Sequence, residues 1–414
     1  MIVELKKEIE KKIGVKVNTR GDCELISHAI LDLLDITISY NTIRRLYGLA
    51  PYTKPNTKTL NTLAKFVGYN NYLHFSQNFS YKEKRSLFQI TYKAIYDDND
   101  NGILDLVKKT KSSQEDFMGF ITMLIRELFR KKKYTLIEKI FNLDETHSEN
   151  FSYSELLYLG NSVGLILREE QRVHETLCKN INFLNCIYLT FVDYSSLNTY
   201  YGQWLEALRH INTSDEISIF NNALLQFKNF LNLNIIKEIE YDFTFTEDLN
   251  PILCSRLLAL NFLSDKKCDV SQTLTNYYKL HSNKVNVSDY SYELYTTSIL
   301  TKNIEIMRFL IEKSEFKIEF FYQKNHINSF YLMCAFYFKF TKNKSEEIKN
   351  FKRFSIHECR YNYEEFIDLI HQIYLYHSSK LISEKRLVKK NYFKLSQKLN
   401  YPYFSEKYLL DYFN

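Results

Sequence analysis

Ile38-Ser39-Tyr40-Asn41-Thr42-Ile43-Arg44-Arg45-Leu46-Tyr47-Gly48 decides how the start of this chain is read. After a loop it continues as Pro55-Asn56-Thr57-Lys58-Thr59-Leu60-Asn61-Thr62-Leu63-Ala64-Lys65-Phe66-Val67-Gly68-Tyr69. The pattern predicts a short helix opened by Ser39, a basic loop, and a second helix opened by Asn56. Each opening side chain can accept a backbone N–H two or three residues on. Gly48 and Gly68 stand where the helices stop, because the residue after a helix often needs positive φ. At helical spacing Tyr40, Ile43, Leu46 and Tyr47 share one face, and Asn41, Arg44 and Arg45 point away from it. Asn pairs bidentately with adenine and Arg with guanine, so such a face suits a DNA major groove.

The motif Ile-Ser-x-x-Thr-Ile-x-Arg, a Gly, then Pro-x-x-x-Thr-Leu-x-x-Leu-Ala-x-x-x-Gly resembles the last three helices of lambda-repressor/Cro-like (XRE-type) helix-turn-helix domains. The resemblance covers about 35 residues at the N-terminus. It implies that Ser39, Tyr40, Asn41, Arg44 and Arg45 start or lie on a recognition helix, and that residues 57–67 form the packing helix behind it. The DNA-binding set expected here is Ser39, Tyr40, Asn41, Thr42, Arg44, Arg45, Lys54, Asn56 and Lys58. Upstream the chain departs from the family pattern. Residues 22–34 make a longer helix than usual, and Asp35-Ile36-Thr37 lacks the turn glycine.

Charge is a separate signal. Residues 36–80 hold Arg44, Arg45, Lys54, Lys58 and Lys65 and no Asp or Glu. Residues 1–80 carry 11 Lys and Arg against 7 Asp and Glu, and the remaining residues 44 against 42. Most of the net charge of +6 therefore sits in the first fifth of the chain, as a phosphate-binding module requires.

With 414 residues the chain has room for two or three domains. Nine Gly and four Pro are few for turns, so long helices with short connections are expected. Residues 1–13 are amphipathic and charged, without the apolar core of a secretory signal. The apolar run 330–338 is too short for a bilayer and reads as a buried helix. Seven scattered cysteines without a Cys-x-x-Cys motif read as free thiols in a reducing cytoplasm. No membrane association is expected.

The fold expected is all-α, with a helix-turn-helix domain over 1–80 and a helical-hairpin region over 81–414. In the first part, Asp22 is the expected cap of the second helix, whose apolar face would use Leu25, Ile26, Ala29, Ile30 and Leu33. Beyond 80, helices are placed near 84–96, 103–110, 115–130, 134–141, 153–168, 170–180, 184–193, 198–210 and 215–229. Others fall near 232–239, 250–263, 271–281, 289–300, 302–313, 317–323, 326–340, 345–352, 361–377, 381–398 and 403–412. Adjacent pairs suggest antiparallel hairpins that resemble a tetratricopeptide-like solenoid, with the texture of Tyr200–Leu208 as its best instance. No clean 34-residue self-match supports it, and an irregular helical bundle is the competing reading.

Other motifs carry little chemistry. Asp97-Asp98-Asn99-Asp100-Asn101-Gly102 resembles half a calcium loop, but Lys108 stands where the bidentate Glu belongs, so a helix-capping loop is expected. His174 and Cys178 are four apart, with no second pair of metal ligands nearby. His357-Glu358-Cys359 is equally isolated. The basic runs 130–133 and 385–390 read as helix-end or surface charges, with added DNA-backbone contact as the alternative. Catalytic elbows, phosphate-cradling loops and His-Glu-x-x-His helices are absent, so neither enzyme activity nor a cofactor is expected.

The function expected is a DNA-binding transcriptional regulator, a homodimer on double-stranded DNA. Its helical region would sense or bind a peptide or protein ligand. The alternative is a non-enzymatic adaptor, of stress or phage-defence type, whose N-terminal domain docks a protein.

Overall fold

A computed structural model describes residues 1–112, 116–172, 174–211, 215–234, 236, 251–264, 269–281, 287–313, 323–359 and 363–414. The chain is all-α, with no strand among these residues. It divides into two units, Met1–Asn99 and Asp100–Asn414.

The first unit holds α1 (Ile2–Ile13), α2 (Arg20–Leu34), α3 (Tyr40–Leu46), α4 (Thr57–Phe66) and α5 (Tyr72–Tyr96). Its core is Leu5 and Ile9 of α1, Cys23, Ile26 and Ile30 of α2, Ile43 and Leu46 of α3, Leu63, Ala64 and Phe66 of α4, and Phe75 of α5. Full burial of each large aliphatic or aromatic side chain here contributes about 1.5–3 kcal/mol. Position 80, where the sequence pattern places the domain boundary, falls inside α5, and the unit extends to Asn99.

Local sequence explains most helix ends. Thr19, not Asp22, caps α2: its hydroxyl takes the Asp22 N–H, and the Asp22 carboxylate takes the N–H groups of Asn18 and Thr19. That reciprocal box satisfies donors a helix start leaves orphaned, so the cap lies three residues earlier than the pattern suggests. Those N–H groups, Asn18's first, hold Asp22 below the usual carboxylate range. Gly14, Gly48 and Gly68 carry φ of 73°, 79° and 98° past helix ends, a region other residues rarely adopt.

The second unit begins with α6 (Asp100–Ser112), α7 (Phe117–Arg130), α8 (Tyr134–Phe141), α9 (Tyr153–Glu170), α10 (Glu175–Cys178), α11 (Ile181–Cys186) and α12 (Tyr200–Leu208). It continues with α13 (Asp215–Leu233), α14 (Pro251–Ser264), α15 (Val270–His281), α16 (Val287–Thr301), α17 (Ile304–Lys313) and α18 (Gln323–Phe340). It ends with α19 (Lys344–Arg353), α20 (Glu364–Ser378), α21 (Ile382–Leu399) and α22 (Glu406–Leu410). Alternate helices α14, α16 and α18 pack side by side, and α15 packs on α17. Residues 317–322 of the helix expected near 317–323, residues 235 and 237–239 of that near 232–239, and Cys268 lie outside the described residues.

Three expected helices are not helices over their length, and of the span 403–412 only Glu406–Leu410 is helical. Residues 170–180 yield only the short α10, and the span 184–193 breaks after Cys186. Phe191–Leu197 is irregular and buried throughout. Asp193, Ser195 and Ser196 are buried along with its apolar residues, so burial here follows no helical or strand period that the sequence could show. Alanine Cβ atoms at Gly164 and Gly202 would collide with the Phe191 ring and the Leu197 carbonyl, so both positions let helices close on this segment.

Its buried backbone needs partners, and tyrosines supply them. Tyr201 donates to the Phe191 carbonyl, Tyr401 donates to that of Tyr194, and the Tyr401 hydroxyl also accepts the Leu197 N–H. Tyr403 and Tyr408 donate to the Leu300 carbonyl near the end of α16, and Tyr412 to that of Ile299, which also accepts the Lys302 N–H. The abundance of tyrosine is thereby partly explained. These bonds join residues up to 207 apart, whereas in a strict solenoid each repeat touches only its neighbours.

Two buried ionic groups lie near this segment. The Arg256 guanidinium sits 3.1 Å from Glu293 and 4.3 Å above the Phe227 ring, and Tyr194 donates to Glu293. Asp193 accepts from the Tyr200 hydroxyl at 2.7 Å and from the Ser195 N–H at 3.1 Å, with Arg168 3.9 Å away. Burial pushes the Asp193 carboxyl up to about 6. Among the described residues no helix is long and apolar enough to cross a membrane.

Candidate nucleic-acid interface

The turn between α2 and α3 places the candidate residues. Asp35 adopts the left-handed conformation at φ 55°, standing where a glycine would be usual, and its N–H closes on the Leu31 carbonyl at 2.9 Å. Ile38 is buried, and the Ser27 hydroxyl donates to its carbonyl, fastening the turn to α2. Ser39 then opens α3 as expected, accepting the Asn41 N–H at 3.2 Å.

Ile43 and Leu46 face the core. Tyr47 donates to the Lys6 carbonyl at 3.0 Å and so ties the end of α3 to α1. Tyr40 is half-buried beneath the Arg20 guanidinium, 4.8 Å from the ring, and Arg20 also meets Glu24 at 2.8 Å. Its ring face is therefore used within the unit. Thr42 is half-buried.

The two arginines part company. Arg44 is half-buried and donates to the Asn41 side-chain oxygen at 3.1 Å and to the Leu49 carbonyl at 3.3 Å. It does not stand free of the helix beside Asn41; the two side chains brace the end of α3 together. Arg45 is exposed and has no side-chain hydrogen bond or ion pair among the described residues. Lys54 and Lys58 are exposed in the same way. Asn56 caps α4, accepting the Thr59 N–H at 2.8 Å, and stays exposed. The candidate residues left exposed are thus Ser39, Arg45, Lys54, Asn56 and Lys58.

No family model, curated protein or solved structure matches this chain.

Residues that the sequence pattern did not single out are exposed in the same segment. Thr37 in the turn and Tyr52 in the loop before α4 are exposed. Tyr52 could have been found as an aromatic in a Gly- and Pro-bounded polar loop, where no core is available to it. On α2 the expected apolar face is displaced: Cys23, Ile26 and Ile30 are buried, whereas Leu25 and Leu33 are 47% and 55% exposed. Asp32 and Asp35, both exposed, lie beside that aliphatic stripe in sequence.

The remaining sequence candidates resolve into packing. Asp97 ends α5 and Asp100 opens α6 while meeting Lys133 at 3.3 Å, so the calcium-like run is an interhelix connection. His174 precedes α10 in extended conformation and stacks on Tyr134, so it shares no helical face with buried Cys178. Burial lifts the Cys178 thiol to about 12 and lowers His174. Six cysteines are free and buried among the described residues, and no His/Cys/Asp/Glu group there is arranged to hold a metal.

Proposed function

We infer that this chain is a DNA-binding regulator that reads duplex DNA with α3 and the start of α4. The observation carrying this reading is the unpartnered, exposed Arg45 on a core-anchored helix, within an acid-free stretch that also presents Lys54 and Lys58. Two helices packed by their apolar faces hold such a helix rigid, which base contact requires. The long second unit then serves as a sensing or dimerisation platform, and a homodimer would present two copies of α3 to two half-sites.

The exposed Leu25 and Leu33 beside Asp32 and Asp35 favour a second reading, in which this small unit docks a protein. The experiment is a salt series with random-sequence duplex DNA and the Arg45→Ala variant. The DNA reading expects affinity that falls steeply with salt in the wild type and less steeply in the variant. Identical slopes, with a protein partner lost on Leu25→Ser and Leu33→Ser substitution, would support docking instead.

A further inference from the structure

Positive charge in the C-terminal part of the chain is gathered in one place. Residues 380–398 hold Lys380, Lys385, Arg386, Lys389, Lys390, Lys394 and Lys398 against the single Glu384. Residues 81–379 and 399–414 together are net acidic. The stretch is almost entirely α21, whose apolar side, Val388, Tyr392 and Leu399, is buried, with α20 packed alongside.

Some of these cations are spent. Lys389 pairs with Glu406, Lys398 with Glu365, and Lys385 lies 5.6 Å from the Tyr376 ring. Arg386, Lys390 and Lys394 are different: all three are exposed and none has a side-chain partner among the described residues. They recur every four residues, which puts them on one side of the helix at steps of about 6 Å. A row of unpaired cations at that spacing repels itself and is complementary to a row of phosphates. The other basic run, 130–133, offers no such row, because Arg130 meets Glu127 and Lys133 meets Asp100.

We propose that the exposed row Arg386, Lys390 and Lys394 of α21 is a second nucleic-acid contact, binding the phosphate backbone of duplex DNA without reading its sequence. Beyond α3, it adds a sequence-independent grip and rests on the DNA reading only in its choice of duplex as the polyanion. Leu381, Ile382 and Leu387 are exposed near the start of this helix, which raises an anionic lipid surface as the rival. An interfacial helix, however, needs an apolar face along its length to insert; Val388, Tyr392 and Leu399 of α21 are buried in protein, and the exposed Ile382 and Leu387 are confined to its first turns.

The test compares the full-length chain with its Arg386→Gln/Lys390→Gln/Lys394→Gln variant on a random-sequence duplex, from about 50 to about 200 mM salt. Each phosphate contact contributes about 0.9 to the slope of log affinity against log salt, so the variant's slope should be shallower by roughly 2–3. All three positions are exposed, so the helical circular dichroism and melting should stay those of the wild type. An unchanged slope overturns the proposal, as does a variant that loses binding only to phosphatidylserine-containing vesicles. Arg45→Ala in parallel separates the two readings. If only Arg45→Ala flattens the slope, α3 stands and α21 falls; if only the triple variant does, the reverse holds.

Discussion

Arg44 and Arg45 are neighbours of identical chemistry, and the structure gives them opposite roles. Removing Arg44 deletes two charge-assisted hydrogen bonds, 3.1 Å to Asn41 and 3.3 Å to the Leu49 carbonyl, at a half-buried site. Charged hydrogen bonds contribute about 1.5–3 kcal/mol each when well buried. With partial exposure and one neutral side-chain acceptor, Arg44→Ala should cost about 1–2 kcal/mol of local stability. Arg45→Ala should stay within about 0.5 kcal/mol, as for an exposed side chain with no partner. Hydrogen exchange of the amides around α3 reads this directly: roughly 5- to 30-fold faster exchange in Arg44→Ala, and near wild-type exchange in Arg45→Ala. Duplex binding, measured where both variants are folded, should show the opposite order. On random duplex Arg45→Ala should flatten the salt slope by roughly 1, and on a selected site a lost base contact costs about 1–3 kcal/mol, or roughly 5- to 150-fold in affinity. Equal protection losses in the two variants, or none in Arg44→Ala, would refute the bracing role. The double alanine variant is the poorer probe, because it confounds a weakened helix with a lost contact.

Three further outcomes follow from the second unit. Burial raises the Asp193 carboxyl from 3.8 to about 6, so the folded state binds its proton more readily than the unfolded chain does. That contribution, up to about 3 kcal/mol, is present below about pH 4 and lost as pH rises through about 6. Urea midpoints from pH 4 to 7 should therefore show a downward component that Asp193→Asn removes. Arg256→Met strands the buried Glu293 and should cost about 3–5 kcal/mol in urea unfolding, much of it recovered when Glu293→Leu is added. Equal destabilisation in the single and double variants would count against the pair. Gly202→Ala drives a Cβ into the Leu197 carbonyl and should lower stability by about 1–3 kcal/mol, whereas Gly21→Ala, which meets only Thr19 at ordinary contact distance, should change it far less.

Much of the local architecture was legible along the chain. The caps at Ser39 and Asn56 and the glycines at 48 and 68 act within a few residues of themselves, so their meaning survives reading in one dimension. Residues 134–141 form a helix with the expected limits because their apolar residues repeat at helical spacing. The candidate site was legible only in part. Arg45, Lys54 and Lys58 are exposed as expected, but Tyr40 is covered by Arg20, and Asn41 is engaged by Arg44.

The sequence by itself determined an all-α chain, its main helices and several of their ends, and the concentration of positive charge at residues 36–80 and 380–398. These depend on composition and on interactions spanning one helical turn. Only the tertiary structure decided which of two adjacent arginines is free. It alone showed that residues 187–193 leave the helix expected over 184–193, and where the tyrosine hydroxyls go. In each case the deciding partner is brought in by the fold. Arg44 reaches Asn41 and Leu49, three and five residues away, because the chain turns at Gly48, a choice between neighbours that helical spacing alone does not make. The Tyr194 carbonyl is satisfied by Tyr401, 207 residues away, and a pattern read over a turn or two of helix carries no record of that partner.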